Sequence, residues 1–258
     1  MLEVKKVSKS FADARGVKEV LRELSLQVAE GEFVSIVGPS GSGKTTLFGV
    51  IGGLQQPTAG EVHIGGQDTT GETGHVAYMP QQASLLPWRT VAGNIELSLT
   101  IAGVEKRKAR SEALVWLERV GLAEYAGAYP HVLSGGMQQR VSFLRALLSP
   151  QRLMLLDEPF GALDALTREH MQKWLLSIWE QNRRSVLLVT HSIEEALYLS
   201  DRIIVLSASP AVILDEMIVP FERPRKEELR EDARFMELRN RIYRHLAEGA
   251  KEAGGDGN

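Results

Sequence analysis

The stretch Gly38-Pro39-Ser40-Gly41-Ser42-Gly43-Lys44-Thr45-Thr46 restricts what this chain can fold into more than any other. An apolar run, Phe33-Val34-Ser35-Ile36-Val37, leads into it, and Leu47-Phe48-Gly49-Val50-Ile51 continues it in a form compatible with helix. Strand, glycine-rich loop and helix in that order is the setting in which such a string becomes a phosphate-binding loop. The glycines let the backbone curl until successive N–H groups converge on one anion, and the helix adds the positive end of its dipole. Lys44 is then placed to reach the β- and γ-phosphates, and the Thr45 hydroxyl to ligate Mg²⁺. A glycine-rich turn of purely structural use is the competing reading. The spacing, the Lys44-Thr45 pair and both flanks argue against it.

Composition narrows the class further. A chain of 258 residues accommodates one large domain or a core domain with additions. The formal net charge of -3 gives no support to nucleic-acid binding, which more often shows as a basic excess. The absence of cysteine excludes disulfides, thiolate catalysis and cysteine-ligated zinc, and fits a reducing compartment. Residues 1–7 lack the apolar core of a secretory signal, and no run approaches 18 consecutive apolar residues. The expectation is a chain that does not span a bilayer, although it can still work at one by gripping an integral partner.

Along the chain, residues 2–7 and 20–28 alternate as strands, with a polar loop around residues 12–16 between them. Phe11, at the start of that loop, either packs on the sheet edge or stacks on a base. Residues 61–64 and 76–79 read as short strands, with His63 facing solvent on the first. From about residue 85 to 148 the pattern is helical. Within residues 105–120, Ala109, Ala113, Leu117 and Val120 form one apolar stripe, stopped by Gly121. Leu85-Leu86-Pro87-Trp88 precedes these helices, and its Pro87-Trp88 pair suits a partner surface better than hinge packing. The α/β character resumes after Pro150. Buried strands are expected at 153–156 and 185–190, a helix at 163–182, and further strands at 202–206 and 214–219. Residues 220–224 read as a boundary, 227–247 as an amphipathic helix, and 248–258 as a disordered tail.

Three further groups carry chemistry. Asp157-Glu158 ends a continuous apolar strand, the sheet edge at which parallel sheets place ligands. Asp157 is expected to reach Mg²⁺ through water, and Glu158 to polarise the attacking water. Leu133-Ser134-Gly135-Gly136-Met137-Gln138-Gln139-Arg140 opens a helix with Ser134 as N-cap, a second phosphate-grade helix start without a lysine. One economical arrangement is a head-to-tail pair of chains, each offering Ser134 and Gly136 to the γ-phosphate held by the other; a plain flexible cap is the alternative. Gln81, between core and helical insertion, and His191, at the end of a buried strand, are candidate sensors of Mg²⁺, water or the γ-phosphate. Either residue alone also reads as an ordinary surface or structural side chain.

Together these motifs, with Gly161-Ala162-Leu163-Asp164 and Val189-Thr190-His191, resemble the ATP-binding-cassette (ABC) ATPases of membrane transporters over about residues 1–247. The resemblance implies an α/β fold: a P-loop triphosphatase core with a mixed or parallel sheet, an antiparallel N-terminal β-subdomain, and an inserted α-helical subdomain at about 85–148. The ATPase domain would span 1–225, followed by a helical extension over 226–247. It also implies ATP and Mg²⁺ as cofactors and a nucleotide-sandwich dimer of two copies. Residues 38–46 match Walker A, with Gly38, Ser40, Gly41, Ser42, Gly43, Lys44, Thr45 and Thr46 around the phosphates. Residues 153–157 match Walker B, and Glu158 matches the catalytic glutamate. Ser134, Gly135 and Gly136 match the signature, Asp164 the D-loop aspartate, and His191 the switch histidine. Phe11 matches the aromatic that stacks on adenine, with Val20 beside the nucleotide; Thr45, Gln81 and Asp157 attend the metal. Where many members carry a signature glutamine, this chain has Met137.

Within that family, Ser84-Leu85-Leu86-Pro87-Trp88, the absence of a regulatory C-terminal domain, and Ser209-Pro210 followed by Glu222-Arg223-Pro224-Arg225 resemble the branch importing nitrate, aliphatic sulfonates or taurine. Such a subunit would sit peripherally on the cytoplasmic face of the inner membrane. Its partners would be two transmembrane permease subunits and, through them, a periplasmic or extracellular solute-binding protein. Importers of other small solutes, such as thiamine-precursor pyrimidines, share the pattern. An ATP-switched nucleic-acid or ribosome module is disfavoured because no coiled coil, second cassette, zinc cysteines or basic arm is visible.

Overall fold

The computed structural model describes residues 1–13 and 16–254. In chain order the strands and helices are β1 (Leu2–Asp13), β2 (Gly16–Val28), β3 (Phe33–Val37), α1 (Lys44–Ile51), β4 (Ala59–Ile64), β5 (Gln67–Asp68) and β6 (Val76–Met79). Then come α2 (Val91–Ile101), α3 (Lys106–Arg119), α4 (Gly135–Leu147), β7 (Leu153–Asp157), α5 (Ala165–Asn182), β8 (Ser185–Val189), α6 (Ile193–Leu199), β9 (Arg202–Leu206), β10 (Ile213–Ile218) and α7 (Ala233–Gly254). The chain divides into two compact units, one of Met1–His75 with Ile178–Asn258 and one of Val76–Ser177.

The first unit holds two sheets. One is antiparallel, in the order β2-β1-β4-β5. In the other, β3 lies between β8 and β9, parallel to both, and β10 runs antiparallel along β9. Every residue of β3 and β8 is buried, which is why both read as unbroken apolar runs. Strands β1 and β2 are longer than their alternation suggests. Register shifts between Val4 and Val7, Val7 and Lys9, and Lys9 and Ser10 break the period-two pattern while the backbone ladder continues. Ala14 and Arg15, the tip of the expected loop, lie outside the described residues. Phe11 stands on β1 rather than in a loop.

Helix α7 lays Phe235, Leu238, Ile242 and Leu246 on a core formed with α6, β9 and β10. It continues to Gly254, beyond the expected end at 247; residues 255–258 of the expected tail lie outside the described residues. Residues 219–225 are not a free boundary. Val219 and Phe221 are buried, and the Arg225 guanidinium donates to the carbonyls of Leu197 (3.1 Å) and Tyr198 (3.0 Å). Arg223 lies over the Trp179 ring at 4.3 Å and pairs with Asp201 at 2.8 Å. Burial holds the Arg225 pKa down at about 10.

The second unit is wider than the helical stretch 85–148, because β6 and β7 pair in parallel and α4 packs on β6. Glu105 caps α3, and the stripe Ala109, Ala113, Leu117 and Val120 is buried as expected. Trp174 of α5 meets Phe143 of α4 at 5.5 Å and Trp116 of α3 at 6.1 Å. Leu166, in the first turn of α5, is 72% exposed and contributes nothing to that core. Among the described residues no helix is long and apolar enough to cross a membrane.

Candidate active site

In the first unit, β3 delivers the loop 38–43 and α1 carries it away. Gly43 caps α1 at φ +96°, and a Cβ there would lie 2.8 Å from Val20 Cγ1, so only glycine allows β2 this close to the loop. This places Val20 against the loop. Gly41 has φ +75°, with nothing within 4 Å of a would-be Cβ, so its backbone is open to an approaching anion. Lys44 Nζ donates to the Gly38 carbonyl (2.9 Å), the Pro39 carbonyl (2.7 Å) and Ser42 Oγ (3.2 Å), which holds a buried ammonium inside the curl. Ser40 and Thr45 are exposed, and Thr46 is half-buried. An open cradle of backbone, a fixed cation and an exposed hydroxyl suit a polyphosphate chelating Mg²⁺.

His191 leaves the sheet beside this loop. The register pairs Ile36 with Val189, and Thr190 N donates to the Ile36 carbonyl, so residues 37 and 190 emerge side by side. His191 is exposed there, and Ser192 caps α6 by accepting from Glu195 N at 3.2 Å. Phe11, 42% exposed, presents its ring on β1 with Lys9 Nζ 5.0 Å from the centroid. His63 is held by Glu61 at 2.9 Å, an ordinary sheet-surface pair.

In the second unit, β7 is buried throughout and ends at Asp157. Tyr78 of β6 faces that carboxylate. Burial, and then the Asp157 charge, push the phenol up to about 12, so it stays protonated beside that carboxylate. The next residue, Glu158, sits at φ +47°, a left-handed conformation that costs a non-glycine residue about 1–3 kcal/mol and that clusters at working sites. Gln81 Nε2 donates to Glu158 Oε2 at 3.0 Å, bringing together two residues separated by 77 positions. The sequence singled out both residues but not this contact, nor the Glu158 backbone.

The second anion-type helix start is also formed. Ser134 Oγ accepts from Met137 N at 3.3 Å, and Ser134 and Gly135 are exposed. A Cβ on Gly135 would meet nothing within 4 Å, whereas one on Gly136 would come within 3.2 Å of Leu163 Cδ2. Met137 takes part through its backbone, and Gln138 turns back to the carbonyls of Pro130 (3.0 Å) and Leu133 (3.2 Å). Asp164 caps α5, accepting from Thr167 N at 3.0 Å; the Thr167 hydroxyl and N–H hold its pKa below 3.8.

Sequence reasoning passed over the polar residues that stake the segment after Gln81. Asn94, fully buried in α2, accepts from Leu86 N (2.8 Å) and donates to the carbonyls of Leu86 (3.2 Å), Arg89 (3.3 Å) and Thr90 (3.0 Å). Arg145 donates to the carbonyls of Ser84 (2.9 Å) and Ala83 (3.2 Å). Between these stakes Trp88 stands 71% exposed. A buried asparagine beside Val91, Ala92 and Ile95 was the available signal.

The chain matches the ABC transporter family over residues 21–161. It is 41% identical over 249 residues to the nitrate import ATP-binding protein NrtD of Synechococcus elongatus, covering 93% of this chain and 91% of that one. It is 44% identical over 215 residues to the taurine import ATP-binding protein TauB of Yersinia pestis, covering 83% and 84%. Among solved structures it is similar to a dimeric bacterial ABC transporter cassette, with TM-score 0.79 and 34% identity over 86% of this chain and all of that one. It is likewise similar to a dimeric post-hydrolysis cassette bound to ADP and Pi, with TM-score 0.78 and 33% identity over the same shares.

Proposed function

Because the chain belongs to the ABC transporter family of ATP-hydrolysing cassettes, we propose that it energises a bacterial importer of a small polar solute such as nitrate, an aliphatic sulfonate or taurine. It would do so as one of two copies on the cytoplasmic face of the membrane, under two permease subunits fed by a solute-binding protein. The observation that carries the hydrolytic reading is the Gln81–Glu158 hydrogen bond on a left-handed Glu158 backbone. The solute class is supported by what the relatives are named for.

Magnesium-bound ATP supplies the transferable γ-phosphoryl group. The backbone of residues 38–43 and the Lys44 ammonium hold the phosphates and offset charge on the reacting oxygens. The exposed Thr45 hydroxyl, and the buried Asp157 carboxylate beside Tyr78, would attend the metal. Glu158 takes the proton of the attacking water, Gln81 keeps its carboxylate aimed, and His191 donates to the γ-phosphate. Phe11 stacks on adenine. Ser134, Gly135 and Gly136 offer their N–H groups to the nucleotide held by the other copy, and Asp164 lies at that junction.

The test uses the chain reconstituted with its permease and binding protein. ATP hydrolysis should rise when the binding protein carries nitrate, taurine or another sulfonate, and Glu158→Gln should bind ATP yet nearly stop turning over. Wild-type turnover by Glu158→Gln would overturn the assignment of the base. Stimulation by none of these solutes would overturn the solute class.

A further inference from the structure

Gln139 belongs to no part of the site described so far, yet it touches two of its members. It lies one turn beyond Gly135 and Gly136 on α4, with a carboxamide only 3% exposed on the helix face that also buries Ser142 and Phe143. Its Nε2 donates to the Glu158 carbonyl at 3.3 Å and to the Gln81 carbonyl at 3.4 Å. The Glu158 carbonyl also accepts from Gly161 N at 3.1 Å. With the Gln81 side chain on Glu158 Oε2, these contacts close a ring in which both residues are held at backbone and side chain.

We propose that Gln139 is a positioning residue for hydrolysis, a strap that fixes Glu158 and Gln81 to the helix beginning at Ser134. The inference rests on the reading of Glu158 as the residue that activates water. A left-handed glutamate stays put only if its surroundings over-determine it, and the strap adds a hydrogen bond to its carbonyl beside that from Gly161 N. The same helix donates from Arg145 to residues 83 and 84, so α4 sets the register of the chain after Gln81 as well. Its exposed start faces a ligand while its buried carboxamide holds the catalytic pair. Movement of α4 when Ser134 engages the other copy's nucleotide is thereby passed to Glu158.

Gln139→Met keeps length and removes both donors; Gln139→Glu keeps shape and turns an acceptor toward two carbonyls. In the full-length chain, both should lower kcat for ATP about 10- to 100-fold, the cost of misplacing a reacting group by an ångström. KM for ATP should move less than about threefold, since ground-state binding does not use the strap. In a Glu158→Gln background, Gln139→Met should change the residual single-turnover rate by less than about threefold, because a residue acting only through Glu158 loses its effect there. Equal losses in both backgrounds would reduce Gln139 to a packing residue. A folded Gln139→Met or Gln139→Glu protein with wild-type kcat would overturn the strap. Wild-type turnover by Glu158→Gln alone would instead remove the reading beneath it.

Discussion

Asn94 gives the sharpest quantitative test of how the segment after Gln81 is built. Its side chain makes four polar contacts: Oδ1 accepts from Leu86 N, and the two N–H hydrogens are shared among the carbonyls of Leu86, Arg89 and Thr90. Asn94→Ala removes all four. The Thr90 carbonyl keeps its helical donor, Asn94 N at 2.9 Å, so three contacts carry most of the loss. At about 0.5–1.5 kcal/mol net for each, and with a site too buried for full rehydration, the expected destabilisation is about 2–4 kcal/mol. Urea unfolding should show it as a lower midpoint at unchanged slope. Asn94→Asp separates donors from shape. It keeps an acceptor for Leu86 N but aims a carboxylate at three carbonyls, so its pKa rises on folding. The deficit is then full well above that raised pKa and shrinks as pH falls through it, whereas the Asn94→Ala deficit stays flat. A loss below about 1 kcal/mol for Asn94→Ala, or parallel pH profiles for the two variants, would refute the view that these bonds hold the segment under Trp88.

Three other changes probe different parts of the chain. Phe11→Ala should weaken ATP binding by about 1–3 kcal/mol, a rise in Kd of about 5- to 150-fold measured by calorimetry, while Phe11→Trp should keep most of it. Arg225→Met removes charged donors to buried carbonyls and should cost about 2–4 kcal/mol in urea unfolding, with the greatest gain in amide exchange along α6 and α7. Asp164, with a folded pKa below 3.8, stabilises the start of α5 fully above that value and loses the contribution as pH falls through the lower folded value. The gap in melting temperature between wild type and Asp164→Asn should therefore be present at pH 7 and close in strong acid.

What the sequence revealed and what it hid divide along physical lines. Strands buried on both faces, such as β3, β7 and β8, announce themselves as unbroken apolar runs, so the residues at their ends could be named in advance. Glycines demanded by close approach, such as Gly43 against Val20, were also legible because their spacing with Lys44 is local. The lengths of β1 and β2 were not, since backbone pairing runs through bulges that scramble side-chain alternation. Nor was the exposure of Leu166, whose type suggests burial but whose place in the first turn of α5 leaves it outside the core. Contacts such as Gln81 with Glu158, 77 positions apart, leave no periodic trace at all.

The polar residues of the Leu133–Arg140 stretch show why a motif reads as one object while it does two jobs. Ser134, Gly135 and Gly136 stand at the exposed start of α4, where free N–H groups and open space suit a ligand. Gln138, Gln139 and Arg140 turn inward, and each ends on backbone carbonyls: those of Pro130 and Leu133, of Gln81 and Glu158, and of Val120 at 2.7 Å. A carbonyl is present at every residue whatever its side chain, so such bonds fix position without demanding a particular partner type. A methionine at 137, which contributes its backbone N–H to the cap, is compatible with that division, because neither job needs its side chain to donate. On the proposed reading the helix is a rigid link whose outer end would meet a ligand while its buried side holds Gln81 and Glu158.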